Sequence, residues 1–308
     1  MVMENVSLTK NTAIKEQRPV ICLVGTLRSL HLTYQNLIEK LIQPLDADLI
    51  VCVSRMDLED EAKIGKFKDC NIIDVYIYED AQDGYQDYLR DFFSKLNLEQ
   101  QAKWEKYLKI DGNWLGGIEG RKGSGFHLNF NYSKLSERLN YLAERGLSYQ
   151  RAIITRTDLL WLVEHPPLNL LDSNFIWTPT GENYNGHNDR HAVCSRNNIF
   201  DYLSLHDFMI NFKALEYIQN DLDGNNLNHE RHLKSHLDHC GVKVSSFKSV
   251  AYLTGDRQSH TNWGSVKYKC INGVEYAYKY ESELLAAIKN KRKFEYYNSW
   301  EKLLSDVD

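Results

Sequence analysis

Runs of apolar residues alternate with stretches of helical periodicity over the first hundred positions of the chain. Residues 19–25, 47–53 and 71–78 are rich in aliphatic and β-branched side chains, which predicts strands buried on both faces. Residues 30–41 and 85–96 carry apolar side chains three or four positions apart, which predicts amphipathic helices. This alternation predicts an α/β fold with a mostly parallel sheet flanked by helices.

The rest of the chain continues the alternation with shorter elements. The pattern predicts a helix over 131–146, then a strand over 149–161 that turns polar near its end. Further strands are expected over 175–178, 191–194, 242–246 and 250–253, and further helices over 198–208, 227–240 and 280–304. We therefore expect a polar, flexible tail over 1–18, one α/β domain over 19–255, and a helical C-terminal extension over 256–308 packed on that domain.

Composition narrows the classes of partner. The 308 residues include 37 Lys and Arg against 42 Asp and Glu, which gives a formal net charge of -5. A protein that coats nucleic acid needs a basic surface, so that class is excluded, whereas a local basic pocket for a phosphorylated ligand is not. No stretch approaches the roughly 20 apolar residues of a transmembrane helix. The six cysteines are scattered without a CxxC pair, so we expect reduced thiols and a cytoplasmic protein.

Polar residues follow two of the predicted strands, where ligands of open α/β sheets bind. Arg28 comes three residues after Gly25, in a turn that matches neither the dinucleotide fingerprint nor a Walker A loop. The run 155–158 interrupts an otherwise apolar strand with Arg156 and Asp158. Asp158 could bind a divalent metal or a hydroxyl, and Arg156 could bind phosphate. The alternative is a salt bridge between these two side chains.

Two further groups of residues could carry chemistry. The polar loop 183–190 contains His187 and Asp189, and either side chain could act as a general base toward a hydroxyl. The alternative is a turn in which the Asn and Asp side chains cap backbone groups. Four histidines, His229, His232, His236 and His239, share one face of a predicted helix, which leaves open a zinc-dependent hydrolase that uses the first three. Their order is not HExxH, because the second His comes one residue early.

Taken together, the segments resemble the GT-A-type glycosyltransferases that build bacterial and viral surface polysaccharides. The resemblance covers about residues 18 to 255 and depends on the order and spacing of segments 24–28, 45–51, 149–160, 188–195, 228–230 and 240–244. It implies a GT-A-like, Rossmann-like fold and transfer of a hexosyl or deoxyhexosyl group from a nucleotide diphosphate sugar to a glycan acceptor. A non-catalytic carbohydrate-binding protein is the remaining alternative, since the 19 tyrosines and 6 tryptophans would suit sugar stacking.

The resemblance also implies roles for individual residues. Thr155 to Asp158 match the family's DxD position, where a carboxylate holds Mn2+ or Mg2+ on the diphosphate, although the position two before Asp158 is Arg156. Asp189 matches the catalytic base, with Glu230 as the alternative. The nucleotide-sugar site would include Gly25, Thr26, Arg28, Ser54, Arg55, Tyr78, Arg156 and Asp158. The glycine-rich loop 116–125 resembles a lid. The basic stretch 289–293 could contact an anionic membrane carrying lipid-linked acceptors, or be a solvated helix face.

Overall fold

The computed structural model describes residues 18–55, 58–79, 90–109, 125–210, 217, 228–256 and 266–306. Its strands are β1 Val20–Thr26, β2 Asp48–Ser54, β3 Ile72–Tyr78, β4 Arg151–Arg156, β5 Leu159–Trp161, β6 Ile176–Pro179, β7 His191–Ser195, β8 Val244–Phe247, β9 Ala251–Leu253, β10 Lys267–Ile271 and β11 Val274–Tyr278. Its helices are α1 Leu30–Leu37, α2 Asp60–Ile64, α3 Leu98–Lys109, α4 Gly125–Glu144, α5 Ile199–Leu203, α6 Leu205–Ile210, α7 His229–His239, α8 Glu281–Tyr297 and α9 Trp300–Ser305. Helix α1 continues into a π-helical turn, Ile38–Ile42.

Seven strands form one twisted sheet in the order β3-β2-β1-β4-β7-β6-β8. Strands β3, β2, β1 and β4 pair in parallel, and β6 pairs in parallel with β8, whereas β7 is antiparallel to both of its neighbours. Alternate residues of β1 enter two apolar clusters on opposite faces of the sheet. Val20, Cys22 and Val24 face the cluster that includes residues of α4, and Ile21 and Leu23 face the one that includes residues of α1. Burial on both faces explains why these strands lack polar positions.

The prediction of an α/β fold with a mostly parallel sheet, flanking helices and a helical C-terminal segment is confirmed. The segment predicted over 149–161 is two strands, because the chain turns at Thr157 and Asp158. After that turn, β5 leaves the main sheet and pairs antiparallel with β9. The helix expected from 131 begins at Gly125. Nearly all of the expected tail over 1–18 and most of the expected lid over 116–125 lie outside the described residues.

The C-terminal segment contains a β hairpin that the sequence pattern did not reveal. Strands β10 and β11 pair antiparallel around a turn at Asn272 and Gly273, both with positive φ. The hairpin and α8 meet β9 in a third apolar cluster, formed by Tyr252, Tyr278, Leu284, Ala287 and Ile288. In the described part of the chain, no helix is long and apolar enough to span a membrane. All six cysteines are unpaired with one another.

Candidate active site

The carboxyl ends of β1 and β4 form the centre of the candidate site. These neighbours pair with Val24 opposite Arg156, and the chain moves outward from them in opposite directions along the sheet. Such a switch in strand order opens a crevice at the carboxyl edge of a sheet. Because β7 is antiparallel, it brings its beginning to the same edge, with His191 opposite Thr155. The backbone N–H of Arg156 donates to the carbonyl of Arg190 at 3.3 Å, which places the 183–190 loop beside the crevice.

Arg156 and Asp158 form a two-pronged ion pair across the turn that ends β4. The Nε and Nη2 atoms of Arg156 donate to Oδ1 and Oδ2 of Asp158 at 2.8 Å and 2.7 Å. Burial raises the pKa of the Asp158 carboxyl, but the charge and hydrogen bonds of Arg156 outweigh burial and lower it overall. The Arg156 side chain is 19% exposed, against 4% for Asp158. The carboxylate of the pair is therefore enclosed, and the Arg156 side chain keeps the larger exposed fraction.

The turn after β1 lies directly against this pair. Gly25 has a φ of +101°, and a Cβ built there would meet nothing within 4 Å, so the backbone is open to close approach by a ligand. The Thr157 hydroxyl donates to the carbonyl of Thr26, which ties the turn to the end of β4. Burial lowers the pKa of Arg28, and its charge in turn helps to lower the pKa of Asp158. The charges of two arginines, Arg28 and Arg156, thus act on one carboxylate.

Asp189 is held by a buried histidine. The Nδ1 atom of His229, at the start of α7, lies 2.8 Å from Oδ2 of Asp189, and its Nε2 lies 3.1 Å from Oδ1 of Asn129. Burial raises the pKa of the Asp189 carboxyl, but the hydrogen bond and charge of His229 lower it overall. The Tyr132 hydroxyl donates to the Asp189 carbonyl at 2.7 Å. Asp189 is therefore an ionised, rigidly positioned carboxylate.

Glu230 is the second carboxylate at this edge and titrates in a different range. Burial, and after it the negative charge of Asp189, raise the pKa of Glu230 to about 7. Asn228 caps α7 by accepting from the backbone N–H of Arg231 at 2.8 Å, which fixes the first turn where Glu230 lies. Two neighbouring carboxyls with their pKa values pushed apart are the arrangement expected of a general base and an electrostatic partner.

Several charged residues of the site could not be recognised from the local sequence pattern. Arg190 is 5% exposed; its Nη1 donates to Oε1 of Glu283 in α8 at 2.5 Å, and Glu283 also accepts from the backbone N–H of Leu253 at 3.1 Å. Lys279 follows β11, and its backbone N–H donates to the carbonyl of Leu253 at 3.1 Å. Burial, then the positive charges of Arg156 and Arg190, lower the pKa of Lys279 to about 8. The C-terminal segment therefore supplies a cation to the crevice.

Three of the predicted nucleotide residues lie farther along the same edge. Ser54 ends β2 opposite both Thr26 and Tyr78, and its buried hydroxyl has no hydrogen-bond partner among the described residues. The Nη1 atom of Arg55 donates to Oε1 of Glu61 at 3.1 Å and is partly exposed. Tyr78 is 5% exposed, and its hydroxyl donates to Asn131 of α4 at 2.6 Å. Ser54 and Arg55 therefore border the crevice, whereas the Tyr78 ring packs in the core.

His229, His232 and His236 lie on the buried face of α7, where they contact different partners, whereas His239 is exposed. His229 binds Asp189, the His236 Nε2 lies 3.3 Å from the Ser204 hydroxyl, and His232 packs against Phe208 with ring centroids 5.7 Å apart. Within the residues that the structure describes, no three His, Cys, Asp or Glu side chains form a group that could hold a metal ion. Asp158, the ligand implied by the resemblance, has both oxygens bound to Arg156. These donors do not fit a divalent cation.

Gly186 packs closely against the backbone of α7, so a substitution there tests the contact between the 183–190 loop and this helix. A Cβ at this position would lie 2.0 Å from the carbonyl carbon of Glu230 and 2.4 Å from the nitrogen of Arg231. We expect Gly186→Ala to push the loop off the helix and to lower the free energy of unfolding by about 1–3 kcal/mol. Urea unfolding measures the change. The control is Gly65→Ala, where nothing lies within 4 Å and φ is negative, so equal effects of both substitutions would contradict the packing described.

Comparisons with known proteins give distant structural likenesses. No family model and no curated protein matches the chain. Apo mouse xyloside xylosyltransferase 1 is similar over 75% of this chain and 85% of its own, with 10% identity and a TM-score of 0.38. A nucleoside-diphosphate-sugar pyrophosphorylase from Vibrio cholerae is similar over 74% and 90%, with 12% identity and a TM-score of 0.36. The glycosyltransferase GlyE of Streptococcus pneumoniae is similar over 77% of this chain but 46% of its own, with 9% identity and a TM-score of 0.35. Likenesses of this size do not establish an activity.

Proposed function

We propose that the protein transfers a sugar from a nucleotide diphosphate sugar to a hydroxyl of a glycan acceptor. The proposal depends on one observation: a group of cations lies beside two carboxylates at the point where the strand order switches. Arg28, Arg156 and Lys279 concentrate positive charge there, and two carboxylates adjoin them, Asp189 from the loop before β7 and Glu230 from α7. The cations can stabilise a departing diphosphate, and a carboxylate can take the proton from a hydroxyl nucleophile. The resemblance to surface-polysaccharide transferases further suggests a hexosyl or deoxyhexosyl group.

The donor would lie along the carboxyl edge with its diphosphate over β1 and β4. Gly25 leaves room for phosphate to approach the backbone near the end of β1, and Thr26 and Arg28 follow it along the chain. Arg156 uses Nε and Nη2 to hold Asp158, and we propose that its remaining nitrogen, Nη1, binds a phosphate oxygen. Ser54, with its buried hydroxyl, and Arg55 would border the nucleoside at the end of β2.

We propose that arginine charge takes the place that the resemblance assigns to Mn2+ or Mg2+. A hard cation needs several oxygen ligands, and Asp158 offers none that Arg156 has not already bound. Burial lowers the pKa of Arg156 but attraction to Asp158 raises it overall, so the guanidinium stays charged across the physiological range. A fixed guanidinium stabilises the leaving diphosphate by the same electrostatic principle as a metal ion. In this proposal, Asp158 orients the guanidinium of Arg156.

The chemical step that fits this arrangement is a displacement at the anomeric carbon. The acceptor oxygen attacks that carbon as the bond to the β-phosphate oxygen breaks, and the electron pair leaves with the nucleoside diphosphate. The acceptor proton passes to the Glu230 carboxylate, whose pKa of about 7 suits a base at neutral pH. Asp189, fixed by His229, raises the pKa of Glu230 and favours the developing positive charge on the sugar. Asp189 itself, with its lowered pKa, is the weaker base.

A donor screen tests the proposal directly. Purified protein is incubated with UDP-, GDP-, dTDP- and CMP-linked sugars, each with EDTA and with Mn2+, and released nucleotide is measured together with the thermal unfolding midpoint. We expect one diphosphate-linked donor class to be hydrolysed slowly and to raise the unfolding midpoint, because binding to the folded state stabilises it. No turnover and no stabilisation by any donor would contradict the proposed function.

A further inference from the structure

A second concave surface lies between the C-terminal hairpin and helix α8, away from the carboxyl edge of the sheet. We name it the basic groove; its volume is about 500 Å3, and it is lined by Lys269, Ile271, Leu285, Ile288, Lys289, Arg292 and Lys293. Four of these residues are cations and three are aliphatic, and no carboxylate lines the groove. The whole chain carries a net charge of -5, so the positive charge here is a local concentration rather than a general property of the surface.

The cations of the basic groove are arranged to present charge outward. Lys289 and Arg292 are exposed, and Arg292 makes no ion pair with any described residue. Lys269 pairs with Glu281, and the Nζ of Lys293 lies 2.7 Å from Oδ2 of Asp306. Partly exposed pairs of this kind contribute little to stability and exchange readily for another anion. The groove therefore matches a surface that carries many anionic groups.

Apolar side chains accompany these charges on the same face. Leu285, Lys289, Arg292 and Tyr296 recur at intervals of four, three and four along α8, so they form one stripe on the helix. Leu285 is 43% exposed and Tyr296 is 85% exposed. On the neighbouring hairpin, Val274 is 51% exposed and lies opposite Ile271 of the groove. Aliphatic and tyrosine side chains interleaved with Lys and Arg are typical of a surface that enters the headgroup region of a bilayer.

We propose that the basic groove docks the protein on a bilayer rich in anionic phospholipid. The cations bind lipid phosphates, while Leu285, Tyr296 and Val274 enter the boundary between headgroups and acyl chains. The combination favours a bilayer over a soluble polyanion, which would use the charges but leave the exposed apolar side chains in water. Strand β11 begins at Val274 by the groove and ends next to Lys279 at the crevice, so one hairpin joins the two sites.

Vesicle co-sedimentation tests this docking without any sugar donor. The full chain is mixed with phosphatidylcholine vesicles or with vesicles that also contain phosphatidylglycerol. Binding is expected to the anionic vesicles only and to fall as salt rises. Lys289→Glu with Arg292→Glu should weaken binding at least about 25-fold, about fivefold for each cation lost, which is the equivalent of about 1 kcal/mol each. Leu285→Ser should weaken the part of the binding that survives high salt.

The matched control is Lys68→Glu with Arg196→Glu, which makes the same charge change at two exposed positions outside the groove. The control variant should bind anionic vesicles within about twofold of the wild type, since surface attraction fades beyond a Debye length. Both variants should keep the wild-type unfolding midpoint. Equal binding to the two vesicle types, equal loss in the two double variants, or binding of a soluble acidic polysaccharide in place of vesicles would each overturn the proposal.

Discussion

Glu230→Gln should lower kcat for sugar transfer by about 10²- to 10⁴-fold, the usual contribution of a positioned general base. The substitution keeps the shape and hydrogen bonding of the side chain but removes its ability to take a proton. The wild type should lose activity below pH 7, because the pKa of Glu230 is raised to about 7 by burial and by Asp189. The variant should lack that acidic limb, and its affinity for nucleoside diphosphate should match the wild type. Steady-state kinetics across the pH range measures both.

Two further variants distinguish Glu230 from Asp189 as the catalytic base. Glu137→Gln removes a carboxylate from an exposed position on α4 and should leave kcat within about twofold. Asp189→Asn removes the charge that repels ionised Glu230, so the acidic limb should move to lower pH. If Glu230→Gln retains the limb and most of kcat while Asp189→Asn abolishes transfer, then Asp189 is the base and the assignment to Glu230 is wrong.

Arg156→Leu should lower kcat/KM for the donor by about 10²- to 10³-fold, comparable to the loss of one preorganised donor at a charge-stabilising site. It should also destabilise the fold, because Asp158 would keep a buried charge without its partner, at a cost of about 3–5 kcal/mol. Chemical unfolding and donor kinetics on the same preparation separate the two effects. If the variant does not fold, its kinetics do not test whether Arg156 binds the diphosphate of the donor.

The double variant Arg156→Leu with Asp158→Asn removes the orphaned charge and supplies the needed control. We expect stability to return in large part while donor affinity stays low, since the phosphate-binding guanidinium is still missing. Recovery of both stability and donor affinity would mean that Arg156 serves only to neutralise Asp158. In that case the diphosphate must bind elsewhere along the edge.

The parallel strands β1, β2 and β3 could be predicted from apolar runs, because strands buried on both faces have continuously apolar sequences. The runs around Val20, Leu49 and Ile72 became β1, β2 and β3 within one or two residues. The β10–β11 hairpin was not readable, because most of its residues are partly exposed and its alternation is weak. The polar break at 157–158 signalled a change in the strand, but only tertiary pairing decides that β5 joins β9.

Some of the site residues could also be predicted from the pattern of apolar and polar positions. Arg156 and Asp158 interrupt a buried segment, and a polar residue in such a segment needs a partner, so both could be singled out. Asp189 could be singled out as an acidic residue in the polar loop that leads into β7. Of the two interpretations of Arg156 and Asp158, the structure shows the salt bridge. Phosphate binding by Arg156 stays a proposal. Lys279 and Glu283 escaped notice because they reach the site from the C-terminal segment, more than 80 residues from Asp189 along the chain, by contacts that no local pattern encodes.

The most direct measurement is a calorimetric titration of the wild-type protein with UDP, GDP, dTDP and CMP in EDTA and again in Mn2+. The account predicts that one nucleoside diphosphate binds, with the same affinity in both buffers within about threefold, because Arg28 and Arg156 rather than a metal ion receive the phosphates. The same ligand should bind the Arg156→Leu/Asp158→Asn variant at least about 100-fold more weakly. Binding that appears only with Mn2+ would contradict the arginine assignment, and the absence of binding in either buffer would contradict the nucleotide-sugar account as a whole.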